Sequence, residues 1–495
     1  MVNLLLALAT AGLLVASFPR WDVPWLAPLA PAPLLVALDR EPRPGRRFLL
    51  GYVAGVAFWA GVCYWIRFVL AVHGGLPGAA AWGALALFAL AKGLHMGVFA
   101  LLAGAALASR WAVLLVPALW VALERTHGPL GFAWLALGNA GIEMDAPLRA
   151  APYAGVYGVS FVFAMMGTAL ALALLRRPRR ELAPAALLGV LYLLPALPPA
   201  QPGAETAVLV QPNISESAEW TRAWTARQHE RLAFLSEQTA RAGLPPRLIV
   251  WPEVPAPVYY DEDARFRETV NDLARRTGAW LLLNVVPHNA EGAPLNSALL
   301  VSPEGRPAGR YDKMRLVPFG EYVPRPFGFL RKITGEAGDF APGERLRVLD
   351  AGPRRIGAFV CYEAVFPDLV RGFAREGAEL FVNLSNDGWY GRTAARDQHL
   401  KIARMRAVEN RRWLLRATNN GITAAIDPAG RIRRRLPSFA EAGIGVTFSF
   451  LEERTPYTRY GDWFVLLCAA AAAAGLLAGQ IPRYRGGSSA GSRIA

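Results

Sequence analysis

Glu253, Lys313 and Cys361 are the residues of this sequence whose types and settings suit covalent chemistry. Glu253 closes the run "LIVWPE", Lys313 lies in "YDKMRLVPFGEYVP", and Cys361 follows "RIGAFV" and precedes Tyr362 and Glu363. A carboxylate, an amine and a thiol form a workable acyl-transfer set. The thiol must lose its proton to attack, a carboxylate can take it, and a fixed cation stabilises the thiolate and the oxyanion of a tetrahedral intermediate. Each also has an ordinary reading, since cysteine packs as a small hydrophobe, glutamate caps turns and lysine lies in solvent. What favours chemistry is position: Glu253 and Cys361 end apolar runs, and α/β folds place reacting groups at strand ends.

Those runs belong to a region of short apolar stretches separated by charged helical ones, from about residue 205 onward. "TAVLVQPN", "RLIVWPE", "AWLLLNVV", "SALLVSPEG", the run before Cys361, "AELFVNLSND" and "LLRATNNGITAAIDPAG" read as strands. Residues 220–242, 262–277 and "DQHLKIARMRAVENRRW" read as helices. The alternation predicts a layered α/β domain of about 260 residues. No GxGxxG or Walker sequence supports nucleotide binding. The six histidines include no pair at metal-ligand spacing and there is no CxxC, so neither a metal nor a cofactor is expected. Cys63 and Cys468 lie in apolar segments, and three cysteines make no disulfide scaffold.

The rest of the chain reads as membrane. Of 495 residues, 54% are hydrophobic and 18% charged, too apolar a balance for an ordinary soluble enzyme. Apolar segments at 3–18, 22–38, 48–71, 79–107, 111–124, 153–176, 183–198 and 463–481 predict about eight transmembrane helices, several of them short. Arg40, Arg43, Arg46 and Arg47, then Arg110, then Arg176, Arg177, Arg179 and Arg180 fall in loops on one side, with the tail Arg483, Arg485 and Arg493. The positive-inside rule makes that side cytoplasmic, so residues 199–460 face outward, in a bacterium the periplasm. The organisation expected is helices one to seven over 1–198, a catalytic domain over 199–460, helix eight over 461–482 and a cytoplasmic tail over 483–495. The net charge of +15 is largely this topology signal, and no basic stretch interleaved with aromatics points to nucleic acid. Gly51 and Gly55 have the spacing of close helix packing. Lys92 and His95, one turn apart inside a segment, are read as lining the bundle interior, with function as the alternative.

Taken in order and context, "WPE", "YDKMRLVPFGE" and "CYE" resemble the Glu-Lys-Cys triad of the nitrilase superfamily over residues 205–450, which implies an αββα sandwich of two stacked sheets. With its flanking apolar segments the whole chain resembles the bacterial apolipoprotein N-acyltransferases, enzymes of the inner membrane. On that resemblance Glu253 is the general base, Lys313 the oxyanion-stabilising cation and Cys361 the nucleophile. Glu321 matches an additional carboxylate, Tyr362 and Glu363 the residues after the nucleophile, and Trp220 a tryptophan near the lipid cleft, with Trp224 one helical turn away. The resemblance implies transfer of a fatty acyl chain from a phospholipid, through a cysteine thioester, to the amine of a diacylated apolipoprotein. Nothing in the sequence demands more than a monomer. A membrane-tethered amidase using water as acceptor and a non-enzymatic lipid-binding protein are the alternatives. The stretch "PFGFLRKI", 326–333, reads either as an arm dipping into the interface or as a buried loop.

Overall fold

The computed structural model describes residues 1–130, 132–218, 221–254, 259–323 and 340–480, and in it a helical bundle packs against a two-sheet α/β domain. The strands are β1 (Glu205–Gln211), β2 (Leu248–Val250), β3 (Trp280–Val285), β4 (Ser297–Val301), β5 (Pro307–Asp312) and β6 (Leu349–Ala351). They continue as β7 (Arg354–Val360), β8 (Leu380–Ser385), β9 (Leu414–Thr418), β10 (Ala424–Ile426), β11 (Ile432–Arg435) and β12 (Ala442–Phe448). One sheet runs β12-β1-β2-β3-β4-β5 and the other β11-β10-β9-β8-β7-β6. Each has a parallel centre, β1-β2-β3 in one and β7-β8-β9 in the other, flanked by antiparallel strands.

The apolar runs are continuous rather than alternating because the central strands are covered on both faces. Along β1, Ala207 and Leu209 enter the core between the sheets. Val208 and Val210 pack instead with Leu232, Leu235, Phe266, Val270 and Leu273 of the helices Arg222–Arg241 and Ala264–Thr277. The expected strands correspond to β1–β4 and β7–β10. One shift matters for the site: "RLIVWPE" stays in a strand only to Val250, so Glu253 sits just beyond it. Pro252 has no N–H to give the ladder, which accounts for the early end. β5, β6, β11 and β12, the four sheet edges, have no counterpart among the expected strands.

The bundle departs further from expectation. By length and composition, among the described residues, Gly78–Ala106 and Ala151–Leu174 can cross a membrane. Pro44–Val62 with Trp65–Val72, bent by 53°, counts as a third if the pair is one span. Val2–Ala16 and Trp463–Ala478 are apolar but shorter. The expected segment 22–38 holds only a 3-10 turn, Pro24–Leu26, and the ten-residue helix Pro31–Arg40. Pro24, Pro28, Pro31 and Pro33 explain it, each removing a helix donor. The segment 111–124 is the 14-residue helix Ala112–Arg125, and 183–198 contains a 3-10 run, Ala183–Tyr192. Gly51 and Gly55 do mark close packing: a Cβ on Gly51 would come within 2.2 Å of Ala100 Cβ, and one on Gly55 within 2.7 Å of Met96 Cβ. Lys92 is buried, donating to His127 Nδ1 (2.6 Å) and to the Phe132 carbonyl (3.0 Å) over the Trp59 ring. His95 stacks on His127.

Bundle and domain meet along the helix Ala395–Asn410, nearly all of which is buried. Gln398 accepts from the indole N–H groups of Trp65 (3.2 Å) and Trp134 (2.8 Å), and donates to the carbonyls of Pro19 (2.6 Å) and Val62 (3.0 Å). Arg404 pairs with Glu143, and Glu409 accepts from the Val156 N–H at 2.8 Å. Replacing Gln398 with Leu orphans two indole donors and two carbonyls, each costing on the order of 1–3 kcal/mol when buried. Gln398→Leu therefore lowers the thermal unfolding midpoint in detergent, whereas an unchanged midpoint would show the junction is not held there.

Candidate active site

Cys361 is the first residue after β7 and has φ of +48°, a left-handed conformation that is unusual for a side chain with a Cβ. Such a residue costs on the order of 1–3 kcal/mol and persists only when its surroundings determine it. Two groups do so. Glu363, fully buried in the same turn, accepts from the Val360 N–H at Oε2 (2.9 Å). Its Oε1 accepts from the Tyr311 hydroxyl (2.7 Å) and from the N–H groups of Met314 (2.8 Å) and Arg315 (3.2 Å), so it straps the cysteine turn to the chain just after Lys313. On the other side, His399 Nε2 lies 3.1 Å from the Cys361 carbonyl. A carbonyl only accepts, so Nε2 carries the proton. Burial first, and then the Arg416 charge, lower the His399 pKa, while Asp387 raises it, and Nδ1 lies 3.1 Å from both Arg416 Nη2 and Asp387 Oδ1. Arg416 in turn holds Asp387 at 2.8 Å.

Lys313 follows β5 and is 1% exposed, so its ammonium depends on its partners. Nζ donates to Glu321 Oε1 at 2.8 Å and lies 3.7 Å from Glu253 Oε1. Asn296 Nδ2 bridges the same two oxygens, at 2.8 Å to Glu253 and 2.7 Å to Glu321. Its orientation is fixed because Oδ1 accepts from Asn284 Nδ2 at 2.7 Å. The Asn386 N–H donates to Glu253 Oε2 at 3.0 Å, and the Val317 N–H to Glu321 Oε2 at 2.7 Å.

Burial opposes the charge on Lys313, but Glu321, Glu253 and Cys361 outweigh it and raise its pKa, so it stays an ammonium. Burial, reinforced by the Glu253 charge, pushes the Cys361 thiol up despite Lys313, so the resting sulfur is protonated. Burial also raises Glu253 above the ordinary carboxylate value, with Lys313 pulling the other way, and the Cys361 thiol donates toward it. A protonated thiol beside a carboxylate of raised basicity and a permanent cation can generate a nucleophile at the moment of attack.

The structure thus brings together Glu253, Lys313, Cys361, Glu321 and Glu363. Tyr362 is buried beside them, its ring against Phe366 and against Phe132 of the bundle half. Trp220, the stretch 326–333 and the tail 483–495 lie outside the described residues. Trp224 lies in the first turn of the helix Arg222–Arg241, its N–H donating to Thr221 Oγ1 at 3.3 Å. Sequence reading passed over Asn296, Asn386, Asp387, His399, Arg416 and Glu216. The signal available was polar residues in or directly after apolar runs, as in "NLSND" and "LLRATNNG".

Known proteins resemble the chain in both halves. The family model for carbon-nitrogen hydrolases matches residues 206–448, and that for the apolipoprotein N-acyltransferase N-terminal domain matches 10–169. An apolipoprotein N-acyltransferase of Geobacter metallireducens is 38% identical over 95% of this chain and 94% of its own. One from Azotobacter vinelandii is 34% identical over 93% and 92%. The crystal structure of a carbon-nitrogen hydrolase from Helicobacter pylori aligns with 53% of this chain and 94% of its own at 21% identity and a TM-score of 0.39, too low to bear on the comparison.

Glu363→Gln places an N–H donor where only acceptors fit. It should destabilise the protein by roughly 1–3 kcal/mol, read as a lower unfolding midpoint in detergent. An unchanged midpoint would mean the strap does not hold the turn.

Proposed function

We infer the reaction from two premises: the chain belongs to the apolipoprotein N-acyltransferase family, and its thiol, ammonium and carboxylates converge in one buried site. The protein N-acylates lipoproteins at the membrane. The observation that carries the mechanism is Lys313 held between Glu253 and Glu321 beside a cysteine fixed in a left-handed turn.

In the first half-reaction Glu253 takes the Cys361 proton and the sulfur attacks an ester carbonyl of a phospholipid. Lys313 and the backbone N–H of Tyr362 hold the oxyanion. Collapse breaks the ester bond, Glu253 returns the proton to the glycerol oxygen, and a lysophospholipid leaves. In the second, the free α-amine of a diacylglyceryl-cysteine attacks the thioester. Glu253 accepts a proton from nitrogen and returns it to the departing sulfur, restoring the thiol. Glu321 fixes Lys313, and Glu363 fixes the turn. One chain supplies every group, so a monomer suffices.

The cleft opens at the outer leaflet of the inner membrane, with the catalytic domain periplasmic and the eight apolar segments as crossings. The arginine-rich loops support the orientation. Exposed Leu87, Leu90 and Leu94 on the helix Gly78–Ala106, and Leu466, Leu467 and Leu477 on Trp463–Gln480, support faces turned to lipid.

Intact-mass measurement with phospholipid should reveal an acyl adduct on Cys361 that disappears when a diacylated lipopeptide is added and reappears on its amine. Loss of the adduct to water alone would make the protein a hydrolase, and Cys361→Ala should form none. Glu253→Gln should slow acylation by roughly 10²–10⁴-fold. Because Glu253 must be ionised and its pKa is raised, the rate should fall on acidification through a limb above the ordinary carboxylate value of 4.5. A limb at or below that value would assign the base elsewhere. Lys313, raised, should add no alkaline limb below 10.5.

A further inference from the structure

The cycle above starts from a free α-amine and does not include the deprotonation of an acceptor that arrives charged. An α-amine titrates near pH 7.7–8.0, so an acceptor arrives largely as an ammonium at neutral pH. Glu253 accepts one proton in each half-reaction and returns it each time, to the glycerol oxygen and then to sulfur. The additional proton, whose loss makes the ammonium nucleophilic, has no acceptor on the protein in that cycle.

Glu216 stands where such an acceptor would be needed. Its Oε2 accepts from Asn386 Nδ2 at 3.1 Å, and the N–H of the same Asn386 holds Glu253, so one residue carries a carboxylate on each side. Its Oε1 accepts from Asn419 Nδ2 (3.2 Å) and Asn420 Nδ2 (3.3 Å). Two of these amides are oriented by backbone: Asn386 Oδ1 accepts from the Gly388 N–H, and Asn419 Oδ1 from the Ile214 N–H. A Cβ at Gly388 would lie 1.6 Å from Glu216 Oε1, so the room for this carboxylate exists only with glycine there. Among the described residues no cation pairs with Glu216, in contrast to Glu253 and Glu321. It is half-buried, between exposed Ser215 and Ser217, and so reaches from the site to solvent.

We propose that Glu216 is a second catalytic base, which binds the incoming ammonium of the acceptor, takes its first proton and passes that proton to water. The freed amine attacks the thioester, and Glu253 handles only the proton exchanged between nitrogen and sulfur. Burial, with the facing Glu253 charge and against the three asparagine amides, brings Glu216 up to about 7, close to the amine it serves. The inference rests on the acyl-enzyme reading given above.

The test is single-turnover transfer from preformed acyl-enzyme to a diacylated lipopeptide, comparing wild type with Glu216→Gln from pH 6 to 9. The variant should transfer roughly tenfold or more slowly at pH 7, with the gap closing toward pH 9, where the amine is already neutral. Acylation by phospholipid should slow far less. Hydroxylamine, neutral at pH 7, should discharge the variant's acyl-enzyme nearly as fast as the wild type's. Equal slowing at every pH, slowing toward hydroxylamine as well, or unchanged transfer would overturn the role of Glu216. Failure of the wild type to form an acyl-enzyme would overturn the underlying mechanism, and this role with it.

Discussion

The helix Ala395–Asn410 is the constraint on which the rest depends, because consecutive residues on it serve the two halves of the molecule. Gln398 faces the bundle and satisfies two indoles and two carbonyls there. His399, the next residue, faces the domain and holds the Cys361 carbonyl. In a soluble two-sheet sandwich the corresponding outer helix would show one face to water. Here that face is buried against membrane helices, so its polar groups must find protein partners. The cysteine turn is thereby fixed relative to the apolar helices of the bundle.

Within the site, several charges share few counter-ions. Among the described residues Lys313 alone pairs with Glu253 and Glu321, and Asn296 supplies each of them with a neutral donor. An amide in that place lets two carboxylates approach one ammonium without adding a cation that would depress both. Burial keeps the Glu253 pKa raised despite its neighbour Lys313. Glu363 meets the same problem differently, using backbone N–H groups and a phenol. Its bonds also hold the left-handed turn at Cys361, so one buried carboxylate joins the lysine segment to the nucleophile.

Much of this was legible in the sequence, for a physical reason. The eight strands that could be read from apolar runs, β1–β4 and β7–β10, include every parallel strand, and those are covered on both faces. The four that could not, β5, β6, β11 and β12, are all edges. An edge strand such as "IRRR" or "PAGRYD" is held by backbone bonds to one neighbour and needs little apolar side-chain area. The apolar segment 22–38, expected as one helix, holds a 3-10 turn and a ten-residue helix for the opposite reason: composition records hydrophobicity but not the loss of backbone donors at its prolines.

The sequence by itself determined which residue types were available for chemistry and that Glu253 and Cys361 come directly after apolar runs that form strands, because strand burial is written in local composition. It also determined that much of the chain is apolar enough for a bilayer. Only the tertiary structure decided that Asn296 bridges two carboxylates, that His399 and Glu363 fix the cysteine turn, and that Glu216 shares Asn386 with Glu253. Apart from the Val360 bond to Glu363, those contacts join residues 25 to 170 positions apart, and no local pattern encodes a hydrogen bond whose two ends are brought together by the packing of separate elements.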